Sequence, residues 1–251
     1  SSLLGYVMRD KMKSKENNSE GYLANFHDEK STQGMVYGIA VNHLRRRVTV
    51  IFRGSVTQQD FMTDAQTAQK KLTISLAPDE EPSVISVHTG FYKYMFQADD
   101  DGKVRRDHIL SDAKNLLKEN PGYCLYCTGH SLGGALCTLF GFFAAADDEV
   151  VENGPVVVVS IASPRVGGAN FCEAFQVLEK RKRLQHLRIS NKEDMISHVP
   201  YVHFKATAFS PLLAATLGAG NIYNHCGIHL QLTSILENDD LQCPFTLTYP
   251  K

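Results

Sequence analysis

The stretch Cys127-Thr128-Gly129-His130-Ser131-Leu132-Gly133-Gly134 follows a strand-like run, residues 123–128, and precedes an apolar helix-like run, residues 132–146. A strand that passes straight into a helix must turn sharply, and the residue at the turn takes a strained conformation. Glycines at 129 and 133 leave room for that turn, and the serine hydroxyl then stands at the carboxyl end of a sheet. The helix starting at Leu132 aims unpaired N–H groups and its positive dipole end at the same point. A serine so placed can attack an acyl carbonyl while the Leu132 N–H holds the oxyanion. The plain alternative is a chance G-x-S-x-G in a glycine-containing turn; the flanking strand and helix argue against it.

Strands and helices alternate around this turn. Residues 35–41 and 48–52 are strand-like and joined by a polar segment. Residues 105–120 carry Ile109, Leu110, Ala113, Leu116 and Leu117 at helical spacing, and Pro121-Gly122 stops them. Residues 156–162 form a β-branched apolar run that reads as a strand buried on both faces. A helix over 169–183 and strands over 186–190 and 227–233 follow. Residues 16–32 look polar and unpatterned, and 70–82, with Pro78 and Pro82, read as loop. The pattern predicts an α/β fold with a mostly parallel central sheet and helices on both faces.

Composition narrows the function. Lys and Arg number 26 against 27 Asp and Glu, so the basic excess of a nucleic-acid binder is missing. The basic runs Arg45 to Arg47 and Lys180 to Arg183 read as solvated turns or helix ends. No apolar run is long enough to span a membrane, and residues 1–15 lack the apolar stretch of a signal peptide. The chain opens without Met, as an excised or processed product does. The six cysteines do not look like a disulfide framework. Cys124, Cys127, Cys137 and Cys172 fall in apolar runs, where free Cys acts as a small hydrophobe. Cys124 and Cys127 would point to opposite faces of a strand, unlike a thioredoxin-type pair. A reducing, intracellular compartment fits that placement.

A serine needs a base, and the base needs a carboxylate to orient it. On this architecture both come later in the chain. Asp194 follows the strand-like run HLRIS at its carboxyl end, where groups of open α/β sheets gather, with Glu193 as local rival.

From here the chain resembles the fungal-type, or class three, lipases of the α/β-hydrolase fold. The resemblance rests on Val50-Ile51-Phe52-Arg53-Gly54-Ser55, Val87-His88-Thr89-Gly90-Phe91, Thr128 to Gly134, Ser163-Pro164-Arg165-Val166-Gly167, Asn191 to Asp194 with His198-Val199-Pro200, and Tyr223-Asn224-His225-Cys226-Gly227, in the family's order. It implies Ser131 as nucleophile, Asp194 as orienter of the histidine, and Ser55 and Leu132 as the oxyanion hole. Residues 57–68 fall where the family carries a lid helix, with Phe61, Met62 and Ala65 as its apolar side; an ordinary surface helix is the plain reading. No cofactor or metal is implied. His225, Cys226 and His229 lack the fourth ligand that a structural zinc site needs.

The family's base histidine stands further downstream than any histidine here, the last being His229. Three readings stay open: a histidine beyond Lys251, a base supplied by His229 or His225 from an unusual position, or a catalytically incomplete lipase-like domain that binds lipid or regulates a partner. The expectation is one α/β-hydrolase domain over residues 1–251 lacking its C-terminal end. It would cleave acylglycerol-type esters through a serine acyl-enzyme, with peripheral contact to a membrane or lipid-droplet surface. Residues 206–220 could line an acyl pocket or be plain core. The lipid ester and the oligomeric state are not legible.

Overall fold

A computed structural model describes residues 20–28, 35–54, 68–76, 80–98, 102–192, 194, 223–233, 235–237, 240–242 and 245–248. In chain order, the elements are β1 (Gly21–Asp28), β2 (Val36–Asn42), β3 (Arg47–Phe52), β4 (Gln69–Ile74), β5 (Ser83–His88), α1 (Thr89–Phe96), α2 (Arg105–Glu119), β6 (Cys124–His130), α3 (Leu132–Ala145), α4 (Asp148–Val151), β7 (Val156–Ile161), α5 (Ala169–Lys180), β8 (Leu184–Asn191), β9 (Ile228–Leu232), β10 (Ile235–Glu237), β11 (Asp240–Gln242) and β12 (Phe245–Thr248).

Eight strands form the main sheet in the order β1-β2-β3-β6-β7-β8-β9-β12. The run from β3 to β9 is parallel, and β1, β2 and β12 extend it with antiparallel pairings. All five parallel strands therefore deliver their carboxyl ends to one edge. β6 lies inside this run, flanked by β3 and β7.

The period-2 alternation decides which face the helices cover. Val48, Val50 and Phe52 of β3, Leu125 and Cys127 of β6, and Val156 and Val158 of β7 are buried on one face. Helix α3 crosses that face. It is apolar all round and buried except at Phe143, as befits a helix enclosed on every side. Aromatic contacts bind the helices into one layer: Phe142 of α3 meets Phe171 of α5 at 4.9 Å, and Phe143 meets Phe96 of α1 at 5.1 Å. Arg106 of α2 stacks on Phe96 and Phe143, which brings that helix into the same layer. On the other face of the sheet, Ile51 and Ile161 are 42% and 40% exposed among the described residues.

Three expectations need correction. Residues 21–28, read as unpatterned, pair with β2 as an edge strand, and 69–74, read as loop, pair with β5 in a two-stranded ribbon. Both are edge strands with half-buried or exposed side chains, because only one flank of each carries a neighbour, so backbone pairing outweighs the weak side-chain signal. Residues 156–161 are not buried on both faces: Val157 and Val159 are half-buried and Ile161 is 40% exposed.

Candidate active site

Ser131 links β6 to α3 with φ 54° and ψ −122°. A non-glycine residue there carries strain of about 1–3 kcal/mol and persists only where its surroundings over-determine it. They do so here. The Ser131 N–H donates to Ile161 O at 2.9 Å, and its carbonyl accepts from Gly134 N at 2.9 Å and Ala135 N at 3.2 Å. A Cβ on Gly129 would come within 2.2 Å of Gly133 O, and one on Gly133 within 2.2 Å of Phe52 O. Backbone therefore packs on backbone on both sides of the serine. The hydroxyl makes no cap bond to its own helix.

The Leu132 N–H is among the first of α3, where backbone donors have no partner within the helix. The carboxyl end of β3 closes on the same point. A Cβ on Gly54 would lie 2.9 Å from His130 O and 3.7 Å from the Ser131 Cβ. The next residue, Ser55, lies outside the described residues, as do Glu193, His198 and residues 57–67 of the expected lid. Ala68 is described: its carbonyl accepts from the Thr89 N–H at 3.1 Å, the Thr89 hydroxyl at 2.8 Å and the Tyr223 hydroxyl at 3.1 Å.

Asp194 stands just past β8, half-buried, its N–H donating to Asn191 O at 3.0 Å. Strand β8 is two places from β6, so the two chain ends lie roughly 10 Å apart along the same edge of the sheet. That interval leaves room for one imidazole. His229 does not fill it: it sits on β9, three places from β6, and its Nε2 is hydrogen-bonded to the Ser190 hydroxyl at 2.7 Å. His225 lines a small cavity with His186, Arg188 and Thr138. No described histidine is recorded in a hydrogen bond to Ser131.

Sequence reasoning missed a buried polar group beside the turn. His186 bonds the Ser160 hydroxyl at 2.9 Å, and burial, helped by the Arg188 charge, lowers its pKa to about 3. Arg188 is 8% exposed, and burial, with the Arg165 charge second, lowers its pKa to about 10. His186 Nδ1 and Arg188 Nε have no hydrogen-bond partner. The alternation in HLRIS places both on one face; nothing in the string says that this face is buried. His88 is a second silent histidine. It caps α1, its Nδ1 accepting from Gly90 N at 3.1 Å, and burial lowers its pKa to about 4. Ala162 was missed too: its φ of 50° turns the chain just past Ile161, whose carbonyl holds the Ser131 N–H.

A strained serine between a parallel strand and a buried helix, with a carboxylate two strands away, defines an α/β-hydrolase architecture. The chain belongs to the class 3 lipase family, whose model, Lipase (class 3), matches residues 49–204. It is 28% identical over 239 residues to phospholipase A1-Igamma2 of Arabidopsis thaliana, covering 88% of this chain and 42% of that protein. It is 30% identical over 205 residues to phospholipase A1-II 1 of Oryza sativa subsp. indica, covering 74% and 46%. The chain spans about half the length of the curated relatives it matches. Among solved structures, the Rhizomucor miehei triacylglyceride lipase superposes with a TM-score of 0.63 at 16% identity, covering 97% of this chain and 83% of that one. The Penicillium expansum triacylglycerol lipase gives 0.61 at 18%, covering 91% and 80%. At those identities the likeness establishes the α/β-hydrolase fold.

Proposed function

We propose that this chain is a serine ester hydrolase acting on acylglycerol-type lipids. The observation that carries the proposal is the backbone of Ser131: a strained φ of 54° at a strand-to-helix junction, with a hydroxyl that does not cap its own helix. Ser131 attacks the ester carbonyl. The Leu132 N–H and Ser55 hold the oxyanion; losing one such donor costs about 3 kcal/mol of transition-state stabilisation. A histidine takes the serine proton and passes it to the leaving alcohol, with Asp194 holding its tautomer. Water then releases the fatty acid, and no metal or organic cofactor enters the reaction.

The substrate class draws support from the relatives. Those named phospholipase A1, galactolipase and triacylglycerol lipase all carry a lipid substrate in their names. No described helix is long and apolar enough to cross a membrane, and peripheral contact with a lipid surface suits a water-insoluble ester. The free described cysteines suit a reducing, intracellular compartment. A second reading, a lipid-binding domain without turnover, draws support from His229, whose Nε2 is engaged by Ser190 rather than by Ser131.

Turnover of short- and long-chain glycerol esters by wild type and Ser131→Ala separates the two. Loss of turnover by 10³-fold or more with an unchanged Tm supports the enzyme. Lipid binding with no turnover in the wild type supports the alternative. Asp194→Asn should lower turnover about 10⁴-fold, the penalty of a wrong histidine tautomer in serine triads. A change under tenfold would move the role to Glu193.

A further inference from the structure

Cys172 and Cys226 are 54 residues apart in sequence and bring their sulfurs to 2.8 Å in a buried position. That is closer than two sulfurs in simple van der Waals contact. One loop sets both partners. Cys172, in the first turn of α5, donates its N–H to Gly168 O at 3.2 Å, while the segment leading to Cys226 is tied by Asn224 N to Gly167 O at 2.8 Å. Two anchors one residue apart thus hold the thiols face to face. A positive charge stands beside them. Arg188 shares a cavity with Cys226, its Nε is unpartnered, and no carboxylate among the described residues forms an ion pair with it. Burial, the adjacent Cys172 thiol and the Glu179 charge all raise the Cys226 thiol pKa, and the Arg188 guanidinium offsets only a small part of that rise while the pair stays buried. The thiolate is the reactive form of cysteine.

We propose that Cys172 and Cys226 form an oxidation site that closes into a disulfide, with a hydroperoxide as oxidant. When the pair opens to solvent, the Cys226 thiol gives its proton to water and the resulting thiolate attacks one peroxide oxygen. The O–O bond breaks, and the other oxygen leaves as hydroxide and takes up a proton as water. Cys226 is then a sulfenic acid. The Cys172 sulfur attacks the Cys226 sulfur, the S–O bond breaks, and the hydroxyl leaves with the Cys172 proton as a second water. Two thiols and one hydrogen peroxide give one disulfide and two waters, with two electrons passing from sulfur to oxygen. The bond closes a loop that contains Asp194 and pins the approach to β9 onto α5. It is independent of the ester-hydrolase proposal.

The test uses the 251-residue chain, reduced and then treated with hydrogen peroxide. Free thiols are alkylated and the protein is digested without reductant for mass spectrometry. The expected product is one linked peptide pair joining Cys172 to Cys226, lighter by two hydrogens. The Tm should rise by something on the order of 10 °C and return with dithiothreitol. Cys172→Ser and Cys226→Ser should each abolish the linked pair and the Tm rise. Arg188→Met should slow its formation several-fold, and an unchanged rate would remove Arg188 from the scheme. Sulfinic acid on either cysteine without a linked pair overturns the proposal. Because the pair is buried, a second route is equilibration with glutathione disulfide in dilute urea, which opens the core transiently. Both thiols still free after that also overturns it.

Discussion

The turn at Ser131 and the β8 face around Arg188 lie against the same helix, α3, and are held by opposite means. At the turn, side-chain atoms are missing: Gly129 and Gly133 let backbone approach backbone where a Cβ would stand at 2.2 Å. Around Arg188, polar groups are present and short of partners: His186 Nδ1 and Arg188 Nε are buried without a hydrogen bond. The first arrangement tolerates no added atom. The second carries groups whose charged forms burial disfavours. Rigidity at the Ser131 turn and polar frustration behind it should therefore respond differently to mutation and to pH.

The largest effect should come from filling the turn. Gly133→Ala would push a methyl into Phe52 O and should destabilise the fold by about 4 kcal/mol or more, read as the urea midpoint. A change below about 1 kcal/mol would show that the turn can relax and would break the contrast. Acid should expose the other region. The folded pKa of His186, about 3, lies below its unfolded value of 6.5. Its contribution is fully present above pH 6.5 and is lost as pH falls toward 3, by up to about 1.4 kcal/mol per pH unit. His88 adds a loss of the same sign down to about 4. Urea titrations between pH 6.5 and 4.5 should slope less steeply for His186→Gln than for wild type, and parallel slopes would place the acid sensitivity elsewhere.

Smaller effects sharpen the same comparison. Ser131→Gly should be more stable than Ser131→Ala by about 1 kcal/mol, because glycine relieves the positive φ and alanine does not. Equal stabilities would mean that the turn stores no strain. Arg188→Met replaces a buried guanidinium whose Nε lacks a partner with apolar volume, so stability should hold or rise by about 1 kcal/mol in thermal melts; a clear loss would reveal a partner for the charge. At the small end, Glu149 bridges Lys114 and Lys118 on the surface, and the two ammonium groups hold its pKa near 2. Glu149→Gln should barely move the midpoint, with the difference shrinking further in high salt.

The contrast also explains what could be read from the sequence. The Ser131 turn was legible because steric need leaves a spaced trace, glycines two residues either side of a serine between apolar runs. The position of Asp194 just past a strand was legible, its role being part of the proposal, and so was α2 by its spacing of Ile109, Ala113, Leu116 and Leu117, all buried. Strands β1 and β4 were not, since at these edges the few alternating apolar residues, Tyr22 and Ala24 or Leu72 and Ile74, stand among polar ones and give only a weak signal. Neither His186 and Arg188 as a buried pair nor Cys172 opposite Cys226 could be seen, because such pairs depend on packing between elements that no local pattern records. Ser55 and most of the expected lid fall outside the described residues.

The most direct test of the account is labelling with a fluorophosphonate probe, followed by peptide mapping, on the 251-residue chain and on any longer natural form of it. A serine activated by its position should carry the probe on the Ser131 peptide, with Ser131→Gly unlabelled and still folded. Ser131 unmodified in every form, or a probe found on another serine, would contradict it.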